Sequence, residues 1–173
     1  AEFFYGEAME HWLAAHRNAF EFFGAVPAKV MVDNCKTAVS RPRIGDQPAV
    51  YNSQYLDFAA HYGFKPVACA PKSPQQKGRV ENAVGYCRTS FLAGREPAGI
   101  EASNAALAHW RDTVANVRLH STTGRRPLDL FAETERPALV PLPAGPYPCT
   151  VGKTVLASSR FRVTVDTNRY SVP

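Results

Sequence analysis

Apolar positions along the chain fall into two periods, and the switches between them mark the elements. From residue 7 to 23, Ala8, Trp12, Leu13, His16, Ala19, Phe20 and Phe23 recur at helical spacing and predict an amphipathic helix. Gly24 stops it and Pro27 prevents its resumption. His16 falls on the apolar face between Trp12 and Phe20, so it reads as a core histidine with a hydrogen-bond partner. A short apolar run at 29–32 predicts a buried strand that ends at Asp33. Residues 52–62 predict a second helix closed by Gly63, and 65–69 a second strand. The aromatic stretch at 2–5 reads as the tail of a strand. Alternation of helix and strand from 7 to 92 predicts an α/β layer with parallel pairing.

The next segment organises the rest. Ser73, Pro74 and Gln76 form a capping-box start, and a helix follows to about Leu92. Gly78 leaves its first residue open between 74 and 79. Val80, Val84, Cys87 and Phe91 share one side and predict its buried stripe. Lys77, Glu81 and Arg88 fall on another side, with Gly85 between them, where a second molecule could come close. A carboxylate between cations is by itself an ordinary solvated helix face. Asp33 changes its weight. Carboxylates at a strand end and on a helix can meet and hold a hard divalent cation through oxygen.

Further on, residues 101–118 predict a helix whose buried side is marked by Ile100, Leu107, Trp110, Val114 and Val117. A polar turn at 121–127 carries hydroxyls and two arginines, Arg125 and Arg126, suited equally to phosphates and to capping a short helix at 127–132. The loop at 40–48 has a basic bias from Arg41 and Arg43. Residues 136–148 hold Pro137, Pro141, Pro143, Pro146 and Pro148, a stiff linker between units. Strand-like alternation at 154–156, 161–165 and 170–172 predicts a small β unit with a turn at 166–168. The expected division is 1–135, a linker at 136–148, and the start of a β-barrel-like unit at 149–173.

Composition adds limits. A chain of 173 residues can build one domain with a sizeable core. No apolar run approaches the roughly 20 residues of a membrane span. The net charge of +5 mildly favours an anionic partner, nucleic acid before membrane. Cys35, Cys69, Cys87 and Cys149 form no C-x-x-C pair and read as reduced thiols of a cytosolic protein. The abrupt start, Ala1 followed closely by Phe3-Phe4-Tyr5, reads as that of a piece of a longer protein.

Three stretches carry a resemblance: Phe22-Phe23-Gly24-Ala25-Val26-Pro27, Val32-Asp33-Asn34-Cys35-Lys36-Thr37-Ala38-Val39, and Pro71-Lys72-Ser73-Pro74-Gln75-Gln76-Lys77-Gly78-Arg79-Val80-Glu81-Asn82. With Trp110, Asn116, Arg118, His120, Thr123 and the closing Tyr170-Ser171-Val172-Pro173, they resemble integrase-core transposases, above all the large IstA-type transposase of two-gene bacterial insertion sequences. The resemblance implies an RNase H-like α/β fold and a D-D-E triad with two divalent ions, Mg²⁺ or Mn²⁺. Asp33 matches the second acid and Glu81 the third. Glu2, Glu7 and Glu10 do not match the first-acid motif, so the isolated chain is expected to turn over poorly or not at all. Lys72, Lys77, Arg79, Arg88, Arg125 and Arg126 are the expected DNA contacts. The resemblance also implies a bacterial, nucleoid-associated protein, a multimer on DNA and an AAA+ ATPase helper. The alternative is a DNA-binding or assembly module of the same fold whose acids no longer act.

Overall fold

The computed structural model describes residues 1–70, 78–96, 98–150, 155–165 and 167–172. Helix α1 (Met9–Phe23) ends where Gly24 adopts φ 66°, and the N–H groups of Gly24 and Ala25 bond back to Glu21 and Phe20. A residue with a Cβ is strained in that left-handed conformation, so glycine sets the stop. Strand β1 (Lys29–Val32) then runs parallel to β4 (Lys65–Ala68), with Lys29 opposite Lys65 and Val32 opposite Ala68. Helix α2 (Ser53–Tyr62) lies between them in sequence. Asn52 caps it by accepting from Gln54 N–H, and Gly63 closes it at φ 74°. This is the expected parallel α/β unit. The chain as a whole is mixed α/β, with three two-stranded sheets among the described residues.

Several expectations need correction. Residues 2–5 form no strand. The backbone of Phe3 is held instead by the side-chain amide of Asn104, which accepts from its N–H at 2.7 Å and donates to its carbonyl at 3.0 Å. The loop at 40–48 contains the end of a strand: β2 (Val39–Arg41) pairs antiparallel with β3 (Val50–Tyr51) across an irregular register. Strand β1 is buried on one side only, because Val32 is enclosed while Met31 is 53% exposed. Residues 155 and 156 are not in a strand, and 154 lies outside the described residues.

The larger correction concerns the third helix. Its α-helical part, α3 (Gly78–Tyr86), widens into a π-helical turn at Cys87–Leu92. The proposed capping residues 73–76 lie outside the described residues. Phe91 is buried, but Val80 and Val84 are 66% and 53% exposed. The apolar spacing is real, and among the described residues its first two turns stay exposed.

Two clusters make the core. The main one gathers Leu13, Phe20, Val26, Val32, Val39, Tyr55, Phe58, Tyr62 and Phe64 from α1, α2 and the strands around them. A smaller one joins Phe91, Leu107, Trp110 and Ala115, from the end of α3, from α4 (Ile100–Trp110) and from the π-helical turn Arg111–Ala115. A short α5 (Pro127–Leu130) follows, with proline at its first position. The proline-rich segment then lies along the main core. Val140 and Val26 exchange both backbone hydrogen bonds at 2.8 Å, the Gly145 carbonyl accepts from His61 Nε2, and Tyr147 packs on Phe58. Beyond it, β5 (Arg162–Val165) and β6 (Asn168–Ser171) pair antiparallel as their own sheet. Among the described residues no helix is long and apolar enough to cross a membrane.

His16 is the core histidine its spacing predicts. Nδ1 bonds the Trp12 carbonyl at 2.8 Å and Nε2 faces the Tyr55 hydroxyl at 3.4 Å. Burial pulls its pKa below the ordinary 6.5, and the hydrogen bond to Trp12 opposes that shift. The unfolded chain therefore takes up this proton at higher pH than the folded one. Stability from a neutral His16 is fully present above about pH 6.5 and is lost as pH falls through the lower folded value. Urea midpoints measured from pH 7.5 down to 5 should decline on the acid side of 6.5. His16→Gln should flatten that decline; an unchanged decline would assign it to other groups.

Candidate functional site

Asp33 follows β1 directly, at the carboxyl end of the parallel pair. Its neighbours fix the backbone there. Cys69 N–H donates to the Val32 carbonyl at 2.9 Å, and Asn34 Nδ2 donates to the Cys69 carbonyl at 3.1 Å. The ends of β1 and β4 are thereby tied across the sheet. One carboxylate oxygen of Asp33 accepts from Asn34 N–H at 2.8 Å, while the side chain as a whole is exposed. Behind the carbonyl of Cys35, which accepts from Ala38 and Val39, the chain turns into β2. A carboxylate on this turn is held by backbone geometry rather than by a flexible loop.

Asn34 carries a further oxygen. Its Oδ1 is buried without a hydrogen-bond donor among the described residues. Its Nδ2 is committed to Cys69, so the amide cannot simply flip to relieve that oxygen. Only the parallel pairing with β4 brings Cys69 to Asn34 and gives that side chain a partner.

Glu81 sits in the first turn of α3 and is exposed. A carboxylate there is favoured by the positive end of the helix dipole. One turn later Gly85 is exposed, and a Cβ built on it meets nothing within 4 Å. Packing among the described residues does not demand a glycine at that point. Arg88 is exposed on the π-helical turn that continues the helix. Arg79 lies in α3, while Lys72 and Lys77 fall outside the described residues.

The turn between α4 and α5 is built by its own backbone. His120 N–H donates to the Arg125 carbonyl, Gly124 N–H donates to the His120 carbonyl, and Gly124 stands at φ 63°. Arg125 forms an ion pair with Glu133 just after α5, so part of its charge is met within the chain. Arg126, beside it, is exposed.

Asp33, Glu81 and Asn34 each offer oxygen as a donor atom. That chemistry suits a hard cation such as Mg²⁺ and not a thiophilic one. Among the described residues, no three His, Cys, Asp or Glu side chains are grouped to hold a metal ion. Asp33 thus follows a strand and Glu81 lies on a helix, the kinds of element expected for them.

No family model matches the chain. Individual proteins do. It is 37% identical over 147 residues to the putative transposase for insertion sequence element IS5376 of Geobacillus stearothermophilus, covering 85% of this chain and 36% of that protein. It is 34% identical over 163 residues to the putative transposase Rv3428c of Mycobacterium tuberculosis, covering 94% of this chain and 39% of that protein. It is 34% identical over 165 residues to the transposase for insertion sequence element IS21 of Pseudomonas aeruginosa, covering 95% of this chain and 42% of that protein. The chain therefore spans well under half the length of these relatives. Likeness over most of the chain, across several IS21-type elements, establishes that the chain belongs to the IstA-type insertion-sequence transposases.

Proposed function

We propose that the chain forms part of the catalytic core of a DDE transposase, an RNase H-like domain that cuts and joins DNA strands by phosphoryl transfer. The observation that carries the reading is Asp33 at the carboxyl end of a parallel strand pair, with Glu81 on the helix next in the chain after β4. Asp33 and Glu81 would hold divalent metal, with the Asn34 oxygen beside them. Metal bound there would lower the pKa of a water or a 3′-hydroxyl and stabilise the leaving oxygen. Carboxylates supply oxygen ligands, and the Asn34 bond to Cys69 keeps Asp33 in place as DNA approaches. Lys72, Lys77, Arg79, Arg88, Arg125 and Arg126 would bind phosphates and set the register of the strand.

The RNase H-like reading also accounts for two exposed apolar features. The outer edge of β1 with Met31, and the Val80–Val84 stripe of α3, are surfaces that other parts of a longer transposase would cover. In that reading the first acid comes from the same added portion, and the isolated chain turns over poorly. The 136–148 segment and the β5–β6 hairpin would be the connection to, and the start of, a separate β unit. Acting with a second copy on DNA and with an ATPase helper belongs to the same proposal.

A non-catalytic DNA-binding module is the second reading, favoured by the lack of three grouped ligands among the described residues. One measurement tests what both readings share. DNA affinity of this chain should fall steeply with salt, with a log–log slope of about −3 to −4 if four phosphates are neutralised. Asp33→Ala and Glu81→Ala should leave that affinity intact or slightly raised, because each removes negative charge. An absence of DNA binding at low salt would overturn both readings.

A further inference from the structure

The C-terminal half of α1, α3 and the turn at 116–123 border a groove that the proposed metal chemistry does not use. Its volume is about 1240 Å³. Two arginines on its wall lie flat against aromatic rings. The Arg111 guanidinium carbon is 4.0 Å from the Phe22 ring centre, and that of Arg118 is 4.0 Å from Tyr86. Each is pinned: Arg111 forms a two-point ion pair with Asp112 at 2.7 and 2.8 Å, which meets part of its charge, and Arg118 donates to the Ala115 carbonyl. Pinned guanidiniums give cationic planes of fixed orientation. Phe22 and Phe23 nonetheless remain 49% and 39% exposed, so flat apolar surface is open to the groove. The hydroxyl-bearing residues 121–123 line its far side. Glu2 is the acidic residue of the lining, and its carboxylate accepts from Asn18 Nδ2 at 2.9 and 3.1 Å.

Rings, cations and hydroxyls in one channel fit a polymer that offers flat faces and phosphates together. A duplex keeps its base faces stacked inside, whereas an unpaired strand presents both. The geometry points to this groove as a binding site for single-stranded DNA, with bases on the exposed surfaces of Phe22 and Phe23 and phosphates at Arg118 and the 121–123 hydroxyls, while Arg111 holds the Phe22 ring from its other side. The inference rests on the transposase reading and adds to it a strand-specific surface distinct from the two acids.

The test is fluorescence anisotropy of this chain at low salt with a short oligothymidylate and with a duplex of equal length. Phe22→Ala should weaken oligothymidylate binding about fivefold or more while duplex binding stays unchanged. Phe22→Leu keeps apolar bulk but has no ring, so it should lose the strand to a similar degree. An unfolding midpoint near that of the unaltered chain identifies the loss as one of binding, not folding. Strand affinity unchanged in both variants, full retention by Phe22→Leu, or equal weakening of strand and duplex would each overturn the groove assignment. If the unaltered chain binds neither probe, the DNA reading itself falls, and this inference with it.

Discussion

In a transposase with the length of the relatives and carrying this stretch, Glu81→Gln is expected to reduce Mg²⁺-dependent strand cleavage and joining by several orders of magnitude. Gln keeps the volume and the hydrogen-bonding reach of Glu, so folding and DNA affinity should hardly change. What it removes is the charge that binds a hard cation. Without the cation, neither the nucleophile nor the leaving oxygen is assisted, which is why the loss should fall on the chemical step. Asp33→Asn should act alike, since the turn after β1 and the Asn34 bond to Cys69 do not depend on the carboxylate charge. Two assays on each variant decide the matter: DNA affinity at fixed salt, and cleavage of labelled insertion-sequence ends. Cleavage at the unaltered rate in Glu81→Gln would remove Glu81 from the metal site. Loss of cleavage together with loss of DNA binding would indicate a structural role instead.

The parts of the fold legible in the sequence are those set by short-range physics. Helices α1 and α2 follow from apolar spacing and from Gly24 and Gly63, each at positive φ. Strands β1 and β4 follow from short apolar runs near turn residues. The short strands β2 and β3 were not legible, because Pro42 and Pro48 punctuate the region and the pairing is of two or three residues. The aromatics of 2–5 look strand-like in isolation, yet a side chain 101 positions away holds the Phe3 backbone. In α3 the period identified an apolar face correctly. Periodicity cannot say what covers such a face, and within this chain Val80 and Val84 are left to solvent.

The site divides the same way. Asp33 could be singled out because it ends an apolar run, and Glu81 because it stands between cations on a helix within the stretch that carries the resemblance. Asn34 could not, because its bond reaches β4, and only parallel pairing brings Cys69 to it. Arg125 reads in sequence as a phosphate contact, but Glu133, eight positions on, meets part of its charge. The Phe22–Arg111 pairing is far more remote in sequence and joins α1 to the π-helical turn that follows α4.

Phe58→Ala is expected to destabilise the chain by about 3–5 kcal/mol, a large part of the roughly 5–15 kcal/mol that a domain of this kind possesses. Phe58 is fully enclosed. Its ring centre lies 4.7 Å from Tyr62, 5.3 Å from Tyr147, and 6.0 Å from both Phe64 and His16. Two of those rings are themselves anchored: His16 bonds the Trp12 carbonyl and faces the Tyr55 hydroxyl, and Tyr62 accepts from Tyr147 N–H at 3.3 Å. Rings held on several sides cannot slide into the space, so a cavity should persist and its cost add to the lost transfer energy. The truncation also removes the floor on which Tyr147 rests, and with it part of the hold on the proline-rich segment. Urea unfolding should therefore give a lower midpoint, and limited proteolysis should cut within 139–150 sooner than in the unaltered chain. Phe58→Leu, which refills part of the volume, should recover a good share of the loss. Phe23→Ala serves as the contrast, since its ring is partly in solvent and its removal should cost far less. A loss below about 1 kcal/mol for Phe58→Ala would mean that the aromatic cluster is loosely packed. The proline-rich segment would then be held chiefly by the paired Val26 and Val140 backbones.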